Sequence, residues 1–366
     1  MELLEHTDAP IGRIDITVQL RATPTSKGTR ATLPGKIPHS LGRYRVIAEV
    51  ARGGMGVILR AYDPNLDREV AVKLLSDDHA PDSEAGRRLA EEARILSRLH
   101  HPGVMPVYEA GTLPDGRAFF AMPFVEGQTF AAKLASKNNP KHDLAGCLHV
   151  FQRVCAAIAY AHTQNVVHRD LKPANVMLGR FGEVLLMDWG VAGLAGKLDG
   201  SWVFGTPAYM PPEQARGHNV LEPRTDVFGL GAMLCEILTG EPPYVGVDLP
   251  TVTQMAADAD QADTRGRLKS CGADSALIEL TLRCLASDPM DRPANVHVIA
   301  RAVRDRLGRG RRAELLTAAL ALGLAAAVGA AAGEYQASAQ HGSPPTASPL
   351  KPSQSLPHDP HPADRP

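Results

Sequence analysis

The chain has 366 residues, with 39 Lys and Arg against 40 Asp and Glu, a formal net charge of −1 and an apolar content of 44%. That balance excludes a protein working by global attraction to nucleic acid or to an anionic surface, while the length and apolar content suffice for two folded lobes. The cysteines Cys147, Cys155, Cys235, Cys271 and Cys284 form no C-x-x-C pair and no zinc spacing, and no basic segment leads into an apolar run at the amino terminus, so the body is expected in a reducing, cytoplasmic setting.

Residues 1–42 mix Thr, Ser, Pro, Gly and basic side chains without periodicity and read as a flexible arm. From Arg43 the pattern becomes short apolar alternations around Ala51-Arg52-Gly53-Gly54-Met55-Gly56-Val57, two strands joined by a glycine-rich turn whose backbone can lie close over phosphates. No Lys-Ser or Lys-Thr follows the glycines, so this is not a Walker A loop. Residues 69–75 read as a strand carrying one lysine, Lys73, in apolar company. The helix expected over about 83–99 places Leu89, Ala93 and Leu96 on one face with Glu92 beside them, and Glu91 competes with Glu92 as the counter-charge for Lys73. Residues 104–111 and 118–125 are expected to complete a small antiparallel sheet.

Beyond Gly127 the pattern is helical. Residues 144–163 carry Leu148, Phe151, Val154, Cys155, Ile158 and Ala159 at helical spacing and lead into Val167-His168-Arg169-Asp170-Leu171-Lys172-Pro173-Ala174-Asn175, with Asp188-Trp189-Gly190 beyond. Asp170 suits acceptance of a proton from an attacking hydroxyl, Lys172 suits neutralisation of charge on a moving phosphoryl group, and Asn175 with Asp188 offers oxygen ligands to magnesium. Short buried strands at 166–167 and 184–187 should hold both loops. Another helix starts near Thr225, stops at Gly240 and is apolar nearly all round, so it is expected to be buried, with Asp226 in its first turn as a default N-terminal cap.

These motifs, in this order, resemble the protein kinase superfamily, and specifically the bacterial eukaryotic-like (Hanks-type) Ser/Thr kinases. The resemblance implies an α+β, two-lobed fold: a small antiparallel N-lobe with one helix over 43–126 and a larger, mainly helical C-lobe over 127–307. It implies ATP and Mg2+ as cofactors and protein Ser/Thr hydroxyls as substrate. By resemblance, Ala51 (where the family has glycine), Gly53, Gly56, Val57 and Ala71 line the nucleotide site. Lys73 contacts phosphates and pairs with Glu92, since the family places the acid directly before Ala-Arg-Ile-Leu. Met122 backs the adenine pocket, Pro123 offers its carbonyl and Val125 its N–H. Asp170 and Lys172 are then the catalytic pair, Asn175 and Asp188 the metal ligands, and Asp226 also a tie for the catalytic-loop backbone. Residues 192–213 become the activation segment, in which Thr206 contacts Asp170 and Lys172, Ser201 is the phosphosite for Arg169, and Glu213 pairs with Arg292. Trp189 stands where the family has phenylalanine. Ala51 and Trp189 favour the alternative, a pseudokinase scaffold that docks partners without catalysis.

The remainder differs in kind. A basic juxtamembrane segment at 308–314 precedes a charge-free run at 315–333, which as a helix spans roughly 28 Å, close to a bilayer's hydrocarbon thickness. A single-pass helix in the cell membrane is expected, with a soluble Ala-rich helix as the alternative. The kinase would lie inside and the Pro-rich, disordered tail at 334–366 outside. Gly329 and Gly333 form a G-x-x-x-G that would let two copies pair as a homodimer.

Overall fold

The computed structural model describes residues 38–136, 143–196, 205–218 and 221–308. The arm up to residue 37, the apolar run with Gly329 and Gly333, the tail and Ser201 therefore lie outside the described residues, while Ser40–Leu41, expected within the flexible arm, pair as a short strand with Tyr44 and Arg45.

Alternating apolar side chains build six antiparallel strands, β1 (Ser40–Leu41), β2 (Tyr44–Arg52), β3 (Gly56–Asp63), β4 (Arg68–Leu75), β5 (Glu109–Thr112) and β6 (Ala118–Pro123), in the order β1-β2-β3-β4-β6-β5. One face of the sheet buries Leu59, Val70, Val72, Leu74 and Phe119 in a core of its own. The opposite face contributes Ala71, Phe120 and Met122 to the main core. Helix α1 (Glu84–Arg98) buries Leu89, Glu92, Ala93 and Leu96, and the Ser83 hydroxyl caps it by accepting from the Gly86 N–H.

The strand expected over 104–111 begins only at Glu109. Pro102 and Pro106 have no N–H to give to a ladder. Val104 instead forms a parallel bridge with Leu186, and Leu186 N–H donates to the Gly103 carbonyl at 2.8 Å. This strut ties the small sheet to the hairpin that carries the second acidic loop.

The rest is mainly helical. Strand β7 (Gly127–Thr129) and helices α2 (Phe130–Ala135) and α3 (Leu144–Thr163) are followed by the short strands β8 (Val166–Val167), β9 (Val176–Gly179), β10 (Val184–Leu186) and β11 (Gly193–Leu194). Then come α4 (Pro212–Ala215), α5 (Pro223–Thr239), α6 (Leu249–Asp258), α7 (Ala262–Ser270), α8 (Ser275–Cys284) and α9 over 296–308. β7 and β9 approach so closely that a Cβ on Gly127 would collide with the Leu178 carbonyl. Helix α3 is long and apolar enough to cross a bilayer, yet Leu148, Phe151, Val154, Cys155 and Ile158 are buried inside the lobe, which makes it a core helix. It packs with α5, whose residues Val227 to Cys235 are buried on every side, as expected of a helix apolar all round.

Candidate active site

Strand register decides which side chains face the cleft. Ile58 pairs with Lys73, Lys73 with Phe120, and Ala71 with Met122, so these residues share one face. Val57 pairs with Leu74 on the other face, inside the outer core. Val57, expected at the nucleotide site, thus faces away from Lys73, and Ile58 shares the Lys73 face in its place, because a shift of one residue along a strand turns the side chain through the sheet. Ala51 is the rung partner of Ile58 and sits, buried, in strand β2, so no glycine is needed there. Gly56 is required for another reason: a Cβ on it would stand 2.5 Å from the Leu74 carbonyl oxygen. Pro123 ends β6 opposite Val70, and the partly buried Val125 follows it.

On that face Lys73 Nζ lies 2.9 and 2.8 Å from the two Glu92 oxygens and 2.9 Å from Asp188 Oδ1. Glu91 points to solvent and pairs with Arg94, so Glu92 is the counter-charge. Burial disfavours the Lys73 ammonium, but Asp188 and Glu92 outweigh it and its pKa rises. The charge of Lys73 in turn pulls Asp188 down to about 2. The Asp188 side chain remains 45% exposed, a strong anion open to a ligand.

The loop that carries Asp170 is fixed from beneath. Asp226 Oδ2 accepts the His168 N–H at 2.9 Å, Oδ1 accepts the Arg169 N–H at 2.8 Å, and His162 Nε2 lies 2.7 Å from Oδ2. The expected cap is thereby corrected: Glu222 occupies the N-cap of α5, and the Asp226 carboxylate is engaged by the loop. Burial works against this carboxylate, and His162, His168 and the Arg169 N–H together bring its pKa below the ordinary value. Above it, Asp170 Oδ2 receives Lys172 Nζ at 2.7 Å and Asn175 Nδ2 at 3.1 Å, while Oδ1 accepts the Thr206 hydroxyl at 2.8 Å. Lys172 also reaches Thr206 Oγ1 at 2.5 Å. Arg169 and Asp188 both hold left-handed backbone, at φ 71° and 58°.

The donors available suit magnesium. Asn175 directs its amide nitrogen to Asp170, and neither its Oδ1 nor Asp188 Oδ2 has a hydrogen bond among the described residues. No cluster of three His, Cys, Asp or Glu side chains able to hold a metal occurs among the described residues. Magnesium asks for no such cage, since it takes one or two carboxylates and completes its shell with waters and phosphate oxygens.

Two contacts bear on the departures from the family pattern. The Trp189 indole is fully buried, donates its N–H to the Leu186 carbonyl at 3.3 Å and lies 4.5 Å from the His168 ring, so its extra polar atom is satisfied. Met55, at the glycine turn, reaches to within 3.2 Å of where a Cβ on Gly190 would be, beside Glu92. Neither Met55 nor His162 was singled out by spacing, because both contacts join segments far apart in the chain. Glu213 and Arg292 meet as a bidentate pair at 2.6 and 2.7 Å, with the Arg292 side chain fully buried.

An antiparallel sheet with one helix, a mainly helical lobe, and acid, lysine and amide groups converging in the cleft define the protein kinase class of fold and site. The protein kinase domain model matches residues 44–303, and the chain belongs to that family. It is similar to bacterial members. The serine/threonine-protein kinase PknD of Protochlamydia amoebophila is 32% identical over 72% of this chain and 30% of its own length. PrkC of Bacillus subtilis is 33% identical over 69% and 38%. The DNA damage-responsive serine/threonine-protein kinase RqkA of Deinococcus radiodurans is 41% identical over 56% and 31%. The match thus spans about a third of these relatives' own length.

Proposed function

We propose that the chain transfers the γ-phosphoryl group of ATP to serine or threonine hydroxyls of proteins. The observation that carries this reading is the continuous set of charged contacts from Glu92 through Lys73 to Asp188, facing the Asp170, Lys172 and Asn175 cluster. Asp170 accepts the proton of the attacking hydroxyl as its oxygen bonds to the γ-phosphorus and the bond to the bridging oxygen of ADP breaks. Lys172 neutralises charge on the group in transit. Lys73, held by two carboxylates, positions the nucleotide phosphates. Asn175 and Asp188 would hold magnesium, which when bound neutralises the phosphate oxygens. Asp226, by fixing the backbone N–H groups of His168 and Arg169, orients Asp170, so catalysis is positioning plus electrostatics.

The rival scaffold reading rests on Ala51 and Trp189, and the seat that each residue finds supports catalysis over it. Purified protein incubated with Mg-ATP and a Ser/Thr substrate protein such as casein should incorporate phosphate, and Asp170→Asn should not. Equal incorporation by that variant ends the proposal. The reading extends, on the sequence of 315–333, to an enzyme anchored in the membrane that phosphorylates its own copies.

A further inference from the structure

The linker between β4 and α1 has no part in the mechanism above, yet it holds the glycine turn. The Ser76 N–H donates to the Met55 carbonyl at 3.2 Å, and His79 Nε2 lies 2.6 Å from the Gly54 carbonyl oxygen. A carbonyl offers no proton, so His79 is the donor and its Nε2 carries the hydrogen. In a trans peptide the C=O and the following N–H point in opposite directions. Fixing the Gly54 and Met55 carbonyls on the linker therefore turns the N–H groups of Met55 and Gly56 the other way, as two adjacent donors. Within the turn the Gly53 N–H donates to the Gly56 carbonyl at 2.9 Å, but the tip at Gly54 touches little besides the linker. A Cβ on Gly54 would meet nothing within 4 Å, and the nearest atom to one on Gly53 is 4.0 Å away.

The linker is itself anchored. His79 N–H donates to the Ser76 carbonyl at 3.2 Å, Ser83 N–H to the Ala80 carbonyl at 3.0 Å, and Ser83 caps α1, the helix that carries Glu92.

We propose that His79 is a positioning residue of the nucleotide site. By gripping the Gly54 carbonyl it presents the Met55 and Gly56 N–H groups to the phosphates of a nucleoside di- or triphosphate, and it links that turn to the helix bearing Glu92. The proposal rests on reading the cleft as a nucleotide site.

Calorimetric titration of the full chain with Mg-ADP and with adenosine tests it, because adenosine has the base and ribose but no phosphate for the turn to hold. Loss of one hydrogen bond of ordinary net strength corresponds to roughly 2- to 10-fold in affinity. His79→Ala and His79→Leu should each weaken ADP by about that factor and leave adenosine unchanged, with the KM for ATP rising more than kcat falls. His79→Gln, whose amide nitrogen can donate, should recover most of the loss. Unchanged ADP affinity in His79→Ala, an equal loss for ADP and adenosine, or a glutamine variant as weak as the alanine one would overturn the proposal. A wild-type chain that binds ADP no better than adenosine would remove the nucleotide reading itself, a different failure visible before any variant is made.

Discussion

Asp188 and Asp226 are both carboxylates held below their ordinary pKa, for different reasons and with different consequences. Asp188 owes its value of about 2 to Lys73 and is open to a ligand. Asp188→Asn keeps the shape and removes the charge, so it should lower phosphoryl transfer by at least about 100-fold while the melting curve stays that of a folded protein. Autophosphorylation at the wild-type rate would rule out a metal role. Asp226 is 1% exposed and receives two backbone N–H groups and His162. Asp226→Asn should cost about 3 kcal/mol and reduce kcat, since the loop that carries Asp170 loses its support. The pH dependence has a definite sign. A carboxylate with a depressed native pKa stabilises the fold above its unfolded pKa and ceases to as pH falls through the native one. The gap in melting temperature between wild type and Asp226→Asn should therefore be full near neutral pH and shrink below about pH 4. A gap that is constant or widens in acid would contradict this account.

Among the elements, what was legible in the sequence was what local pattern controls. Helix α3 forms over the residues whose apolar spacing marked it, α1 begins at the serine that caps it, and Glu92 rather than Glu91 turns inward because it shares a face with Leu89 and Leu96. What spacing could not give depends on register and on distant partners. Val57 and Ile58 are equally apolar neighbours, and only their pairing with Leu74 and Lys73 tells outer face from cleft face. Likewise the start of a helix does not reveal that its acid is taken by a loop 57 and 58 residues earlier. The pair Glu213 and Arg292 belongs to this scale, joining α4 to the segment before α9. Removing the carboxylate leaves a guanidinium in the core, so Glu213→Ala should cost about 3–5 kcal/mol and lower the melting temperature by several degrees. A change below about 1 kcal/mol would show that the three carbonyls of Ala286, Ser287 and Arg224, which Arg292 also meets, suffice to hold it.

For the whole molecule, the sequence beyond the described residues supplies a separate expectation. Six arginines from Arg301 to Arg312 precede the run 315–333, and only Lys351 and Arg365 follow it. On the proposed single span, the positive-inside rule would put the catalytic part on the cytoplasmic side. A cysteine engineered into 334–366 should react with an impermeant reagent on intact cells, and the double variant Gly329→Leu, Gly333→Leu should reduce phosphorylation in trans by lowering effective concentration. A protected cysteine, or protein recovered in the soluble fraction, rejects the span; unchanged trans-phosphorylation rejects the pairing. The left-handed backbone at Arg169 and Asp188 has a consequence of its own for anyone breeding this protein for heat resistance. Each such residue costs of order 1–3 kcal/mol, which glycine would relieve. A screen that rewards survival of heating alone would put the proposed metal ligand Asp188 at risk wherever that relief exceeds the loss of its pair with Lys73 at 2.9 Å.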